Sequence, residues 1–227
     1  MVMQKKINFF RAFTFSILIL FLVIPVYAQD RPDALRSYRI GRDTEGRSGL
    51  ASASEYYEDA IRICLDELNQ NNTNMDSYAV LTWALQRQQR FNEVIEWGSR
   101  GLLITTDYRI IETMGEAYFY LGNFNRCLQY MQRYVNALPR GERASVAYFF
   151  CGEIYRNRRM YHHADIAYTT AVQLDSSLPL WWFRLGQVRE ALEDYSPAIV
   201  AYEQALRLNP GYQDASAGLS RSRQQAN

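Results

Sequence analysis

The sequence has few of the residues that most enzyme active sites depend on. Among 227 residues there are 2 His and 3 Cys. The adjacent His162 and His163 do not supply the three or four convergent ligands of a metal site. No Ser-His-Asp set, G-x-S-x-G motif or phosphate-binding glycine loop is recognisable. We therefore expect no catalytic residues, no metal and no cofactor.

Glycine and proline are also scarce, with 12 Gly and 6 Pro, which is few for an all-β protein of this length. Hydrophobic residues make up 48% of the chain and aromatic residues 14%, enough for a substantial core. Long stretches rich in Ala, Leu, Arg, Glu and Gln favour helix. The composition therefore predicts an all-α protein.

The chain has no strong charge of either sign. Its 25 basic and 24 acidic residues give a formal net charge of +1, and residues 1–28 contribute Lys5, Lys6 and Arg11 but no acidic residue. Without that segment, 25 − 3 = 22 basic residues face 24 acidic ones, a net charge of −2. A nearly neutral chain with no basic run gives no electrostatic reason to expect a nucleic-acid partner.

Residues 1–28 have the layout of a secretory signal peptide. Basic residues precede an apolar run over residues 12–24, and Val26 and Ala28 occupy the small-residue positions before a cleavage site. The run is shorter than the roughly 20 apolar residues that usually span a bilayer. We expect export, most simply to a bacterial periplasm. The alternative is an uncleaved segment that anchors the protein to the inner membrane, which would be its only membrane contact.

Two features describe the next part of the chain. Residues 29–50 are polar and rich in Arg and Gly, which predicts a flexible linker, with a weak helix around residues 34–40 as the alternative. Ser52 and Glu55 have the spacing of a capping box, which predicts that a helix starts there and extends to about Asn69 within residues 51–74.

A short phrase with an aromatic residue then recurs along the chain. Its aromatic residues are Tyr57, Phe91, Phe124, Tyr161 and Tyr195, separated by 34, 33, 37 and 34 residues. Three positions after each stands a small or apolar residue, namely Ala60, Val94, Cys127, Ala164 and Ala198. A period near 34 built from paired helices is typical of a stacked helical repeat.

This pattern resembles the tetratricopeptide repeat family. The matching residues in the last unit are Trp182, Leu185, Gly186, Ala198, Tyr202, Ala205 and Pro210. The resemblance is strong in the last two units and weaker towards the N-terminus. It implies a right-handed superhelical solenoid of antiparallel helix pairs with about four full units, at residues 75–107, 108–144, 145–178 and 179–211. A degenerate half repeat at 51–74 would precede them, and a capping helix and tail at 212–227 would follow.

The resemblance also implies a binding surface, because members of the family usually hold partners in the concave groove formed by the first helices. The positions carried over are Trp83, Arg87, Glu112, Glu116, Phe119, Tyr120, Phe149, Glu153, Arg156, Phe183 and Gln187. Rings beside charges of both signs suit a peptide or helix, with the rings supplying contact area and the charges setting the register. The alternative is that Phe119, Phe149 and Phe183 simply pack against neighbouring helices.

These observations lead to a functional expectation. The chain is expected to be a non-enzymatic scaffold or adaptor of the cell envelope that binds a peptide or helix of a protein partner, with its oligomeric state left open. Two alternatives remain: an accessory subunit that docks onto an envelope enzyme or transport protein, and a binding module for a small apolar ligand. Cys64, Cys127 and Cys151 are expected to be buried thiols, with one Cys127–Cys151 bridge as the alternative.

Overall fold

The computed structural model describes residues 33–226, so the predicted signal peptide at residues 1–28 lies outside the described residues. Residues 33–226 form eleven helices and contain no strand. None of these helices is both long and apolar enough to cross a bilayer. The all-α prediction is therefore confirmed.

The helices follow one another as hairpins. Their bounds are α1 Ala34–Ser48, α2 Leu50–Gln70, α3 Met75–Arg87, α4 Phe91–Ile104, α5 Tyr108–Tyr120, α6 Phe124–Ala137, α7 Ala144–Asn157, α8 Tyr161–Leu174, α9 Pro179–Ala191, α10 Tyr195–Leu208 and α11 Gln213–Gln225. Each helix packs against the next, and α1 with α3, α3 with α5, α5 with α7, and α9 with α11 are also in contact. The result is a solenoid of helix pairs that ends in the single helix α11.

The prediction of a flexible linker at residues 29–50 is wrong for the part that the structure describes. The Asp33 carboxylate caps α1 by accepting a hydrogen bond from the backbone N–H of Arg36. Helix α1 ends at Ser48. The next residue, Gly49, has a φ of 82°, a conformation that glycine adopts readily, and this residue separates α1 from α2. Only Ala34 and Gly41 of α1 are buried, and most of its other residues are polar, so the apolar strip by which a helix is usually recognised is narrow.

The predicted capping box at Ser52 and Glu55 is also wrong. Helix α2 begins at Leu50, and Ser52 lies inside it, with its hydroxyl donating to the carbonyl oxygen of Ser48. The first helix pair is therefore α1 with α2, a complete pair rather than a half repeat.

Tyr57 does not belong with the other recurring aromatic residues. Phe91, Phe124, Tyr161 and Tyr195 each begin the second helix of a pair, whereas Tyr57 lies in the middle of α2. Helix α2 has 21 residues and the later second helices have 14, two turns fewer. The two extra turns of α2 break the 34-residue period. The residues equivalent to Tyr57 are therefore Tyr168 of α8 and Tyr202 of α10.

The tyrosine at this position fills a space left by a glycine on the partner helix. A Cβ built on Gly186 would lie 2.7 Å from the Tyr202 ring, and one on Gly152 would lie 2.6 Å from the ring of Tyr168. In the first pair, a Cβ on Gly41 would lie 2.8 Å from Tyr57. The glycines thus allow large buried rings to pack between the two helices of a pair.

The two tryptophans at the start of α9 have different environments. Trp181 is buried and stacks on Phe149 of the preceding pair, with ring centroids 5.1 Å apart. Trp182 is half-buried, packs against the core on both sides of α9, and donates its indole N–H to the carbonyl oxygen of Ser176.

Candidate partner-binding groove

The first helices of the pairs form one side of the solenoid, here called the first-helix face (α1, α3, α5, α7 and α9). Its N-terminal part contains a groove of about 780 Å³ lined by α1, α3, α5, the end of α6 and the loop that leads into α7. The structure brings four predicted site residues together in this groove: Trp83, Arg87, Glu112 and Glu116.

Helix α1 contributes residues to the groove that the linker prediction missed. The ring of Tyr38 lies 5.6 Å from Trp83 and 5.9 Å from Tyr57. Glu45 accepts hydrogen bonds from Tyr57 and, at 2.9 Å, from Nε of Arg87. The spacing of Tyr38, Gly41 and Glu45 could have predicted this helix, because residues three and four apart lie on one helical face.

Two buried carboxyl groups lie on the floor of the groove. Glu112 and Glu116 are one turn apart on α5 and are 4% and 6% exposed. Arg143 approaches from the α6–α7 loop, with its Nε 3.1 Å from Glu112, and also pairs with Glu116, while the Gln86 amide donates to Glu116. Burial first, and then the Glu116 charge, raise the pKa of Glu112 well above its usual range despite Arg143.

Glu153 on α7 is held from three directions. The Tyr168 hydroxyl donates to it from the second helix of the same pair, and Arg156 donates from one turn away at 3.0 Å. Nε of Arg184 on α9 lies 3.1 Å from the same carboxylate. Of the predicted site residues, Glu153 and Arg156 are therefore bound to each other.

Glu190, at a groove position of α9, has a matching arrangement. It accepts a 2.6 Å hydrogen bond from Tyr202 and bonds of 2.7 and 3.0 Å from Arg221 on α11. Burial works against the charged form, but the hydrogen bonds from Arg221 and Tyr202 outweigh it and lower the pKa of Glu190.

The predicted aromatic positions differ in exposure. Tyr120 is 57% exposed and stacks on Phe91, with centroids 4.9 Å apart. Phe119 on α5 and Phe149 on α7 are half-buried, so part of each side chain remains exposed.

Phe183 does not lie open on this face, and its prediction as a groove contact is wrong. It is 6% exposed and packs against Tyr202 and Tyr212. For Phe183 the alternative applies, because its ring packs against neighbouring helices. Gln187, one turn further along α9, is half-buried and accepts a 2.9 Å hydrogen bond from Arg184.

The histidines and cysteines form no site in the part of the chain that the structure describes. His162 and His163 are exposed in the first turn of α8. No group of three or more His, Cys, Asp and Glu side chains within residues 33–226 could hold a metal ion. Cys64, Cys127 and Cys151 are buried free thiols.

Comparison with known proteins agrees with this architecture. The family model described as "Tetratricopeptide repeat" matches residues 179–212, which include α9 and α10. No curated protein sequence matches the chain.

Several solved structures have a similar fold. MamA from Desulfovibrio magneticus RS-1 is 16% identical, with 79% of this chain and 97% of that chain covered and a TM-score of 0.60. A thermophilic TPR protein of Thermus thermophilus is 16% identical, covering 84% and 98%, with a TM-score of 0.59. YrrB, described as a TPR protein with an unusual peptide-binding site, is 16% identical, covering 84% and 93%, with a TM-score of 0.54. The solenoid fold expected from the sequence is confirmed.

Proposed function

We propose that this chain, which has the tetratricopeptide fold and a matched repeat at residues 179–212, is a non-enzymatic protein-interaction scaffold. It would hold a peptide or a helix of a partner protein on its first-helix face. The observation that carries the proposal is the groove of about 780 Å³ lined by α1, α3 and α5, together with the partly exposed rings of Phe119, Tyr120 and Phe149 on α5 and α7.

The physical basis of binding would be preorganisation. The rings that line the face are fixed by packing in the unbound protein, as with Tyr38 against Trp83 and Phe149 against Trp181. Binding therefore costs the conformational entropy of the partner segment but little conformational entropy of this protein. YrrB, a structural neighbour, has a peptide-binding site according to its description, and this supports the same use of the fold here.

We further propose that the protein works in the cell envelope. The support is the signal-like layout of residues 1–28, with basic residues, an apolar run and small residues before Gln29. Export to the periplasm would place the scaffold among envelope proteins. Retention of the segment would instead tether it to the inner membrane.

The test is affinity capture of the tagged protein from envelope extracts, repeated with groove variants. Trp83→Ala and Phe149→Ala should each lower partner recovery by about fivefold or more, because truncating an anchor ring at an interface commonly costs more than about 1 kcal/mol. Ile166→Ala is the matched control, since Ile166 is 67% exposed on a second helix. Equal recovery with all three variants would refute binding on the first-helix face.

The same capture separates the alternatives. A single catalytic or solute-binding protein recovered in constant proportion would identify an accessory subunit. The binding of a small apolar molecule is not favoured, because the groove is partly open to solvent, whereas such a ligand needs a largely enclosed apolar pocket.

A further inference from the structure

The charged residues at the predicted groove positions of α3 and α5 are already paired within the chain. Arg87 is 2.6 Å from Glu45, and Asp76 is 2.8 Å from Arg109. Each of these ion pairs joins one helix pair to the next. In both, the carboxylate belongs to the earlier pair and the arginine to the later one.

The middle of the face follows the same rule. The carboxyl groups of Glu112 and Glu116 belong to the third helix pair. Arg143, which forms an ion pair with each of them, immediately precedes the first helix of the fourth pair. One guanidinium thus serves two buried carboxyl groups.

The C-terminal part of the face repeats the arrangement twice. Glu153 of the fourth pair meets Arg184 of the fifth at 3.1 Å, and Glu190 of the fifth pair meets Arg221 of α11 at 2.7 Å. Arg156, the remaining charged residue at a predicted groove position, is 3.0 Å from Glu153. The face therefore carries carboxylates and guanidinium groups in close alternation.

This arrangement determines what the face offers to a ligand. Neighbouring opposite charges cancel at the distance of a bound chain. In every pair except the exposed Asp76–Arg109 pair, a charged ligand group would also have to displace an internal partner from a carboxylate that is at most 22% exposed. Arg42 and Glu142 also line the groove and appear in none of these pairs, but they are of opposite sign and add no net charge.

The uncharged side chains are what remains for contact. They include Trp83 in the groove, Phe119 and Tyr120 on α5, and Val146 and Phe149 on α7, all at least partly exposed. We infer that the first-helix face selects a segment without net charge, bound through aromatic and aliphatic side chains. This inference rests on the proposed function and names the chemistry of its partner. It also means that the charges on the face hold the helix pairs together and do not set the register of the ligand.

A random peptide display library, selected on the purified protein, tests the inference. Peptides that depend on the face are those whose binding is lost in Trp83→Ala or Phe149→Ala. These should be poor in Asp, Glu, Lys and Arg, and their affinity should change by less than about twofold between about 0.05 and 0.5 M salt, because screening acts only on charged contacts.

The outcomes are distinguishable. Face-dependent peptides rich in charge of one sign, with affinities that fall about tenfold or more with salt, would overturn the inference and leave the proposed function standing. If no enriched peptide depends on the face, the proposed function fails and the inference fails with it.

A second measurement uses one enriched peptide with a single Asp introduced at each position in turn. Glu190→Gln keeps an acceptor for Tyr202 but removes the charge that holds Arg221, so the variant should bind the best Asp peptide about threefold or more tightly than the wild type does. Glu203→Gln is the matched control, because it frees Arg223 from an exposed pair on the second helix of the same pair. Equal affinities in the wild type and Glu190→Gln would contradict internal pairing as the cause of the selectivity.

Discussion

The hydroxyl of Tyr202 donates a 2.6 Å hydrogen bond to Glu190, twelve residues earlier on the other helix of the same pair. The ring of this tyrosine packs over Gly186, and its carboxylate partner also receives Arg221 from the next helix. One side chain therefore connects packing within a helix pair to the ion pair between neighbouring units. Tyr57 with Glu45 repeats the arrangement at the other end of the solenoid.

We expect Gly186→Ala to destabilise the protein by about 1–3 kcal/mol, the usual cost of overpacking a core. The added Cβ would lie 2.7 Å from two ring atoms of Tyr202, and that ring is fully buried and cannot move aside freely. Chemical denaturation gives the free energy of unfolding directly.

Gly46→Ala is the control for this substitution. Gly46 lies in α1, and a Cβ there would have no atom within 4 Å. Since alanine favours helix over glycine by up to about 1 kcal/mol, this variant should be as stable as the wild type or more stable. A Gly186→Ala protein as stable as Gly46→Ala would contradict the packing of Tyr202 against α9.

Tyr202→Phe should cost about 1–3 kcal/mol of unfolding free energy, because it removes a hydrogen bond to a charged, partly buried carboxylate. Tyr130→Phe is the matched control, since the Tyr130 ring packs against Tyr118 and its hydroxyl has no hydrogen bond to any residue in 33–226. In the Glu190→Ala background, Tyr202→Phe should lose most of its effect. An unchanged cost there would mean that Glu190 is not the partner that matters.

The C-terminal pairs were predictable from sequence because all their repeat positions keep the 34-residue spacing. The first pair was not predictable, although it contains the same four small and aromatic residues as the last pair. Gly41, Ala53, Tyr57 and Ala60 are equivalent to Gly186, Ala198, Tyr202 and Ala205. The two extra turns of α2 moved these residues out of phase with the later units. The many polar side chains of α1 left only a narrow apolar strip around Tyr38 and Gly41, so a packed helix was interpreted as a linker.

Hydrogen exchange distinguishes a linker from a packed helix. We expect the backbone amides of residues 38–48 to be protected together with those of α2, because Gly41 and Tyr57 are in close contact and Glu45 bonds Tyr57 and Arg87. Gly41→Leu should remove the protection of α1 and leave that of α9 and α10 unchanged. Full exchange of α1 within seconds in the wild type would support the linker instead.

The positions of the candidate site residues in the fold were partly predictable from sequence. Family positions placed Trp83 and Phe149 on first helices, where the structure has them, because the register of a first helix fixes which side chains share a side. They did not distinguish open from covered rings, and Phe183 proved to be covered by Tyr212 from the turn before α11. Nor did they show that Glu153 is held by Arg184, because this contact depends on how two units stack.

Glu112 should make stability depend on pH. Its pKa is raised in the folded protein from the ordinary value of 4.5, so the folded state keeps a proton that the unfolded chain releases. This contribution is present below about pH 4.5 and is lost as the pH rises through the folded pKa. The side chain in Glu112→Gln is neutral at every pH. Above about pH 4.5, the unfolding free energy of the variant should therefore rise relative to that of the wild type, by at most about 1.4 kcal/mol per pH unit.

The charged and titratable groups around Glu112 suggest the control. Glu116 shares its helix, Arg143 and Glu142 lie on the α6–α7 loop, Tyr134 is on α6 and Tyr38 is on α1. Glu142→Gln replaces a carboxylate that is exposed to water, so it should change the unfolding free energy by no more than about 0.5 kcal/mol. If the difference between Glu112→Gln and the wild type instead stayed flat above about pH 4.5 and changed only below it, Arg143 would be shown to keep Glu112 ionised in the folded state.

The three thiols should be protected from reagents in the native protein and should all react once it unfolds. Cys64 and Cys127 are fully buried and Cys151 is 4% exposed, and burial raises the pKa of both Cys64 and Cys151 to about 12, so almost no thiolate forms near neutral pH. Titration with a thiol reagent, without reductant, should therefore give no reactive thiol in buffer and three in denaturant. Cys64→Ser should give two in denaturant. A single reactive thiol in the unfolded wild-type protein, with none in Cys64→Ser, would establish the Cys127–Cys151 bridge, which the oxidising conditions expected after export would favour.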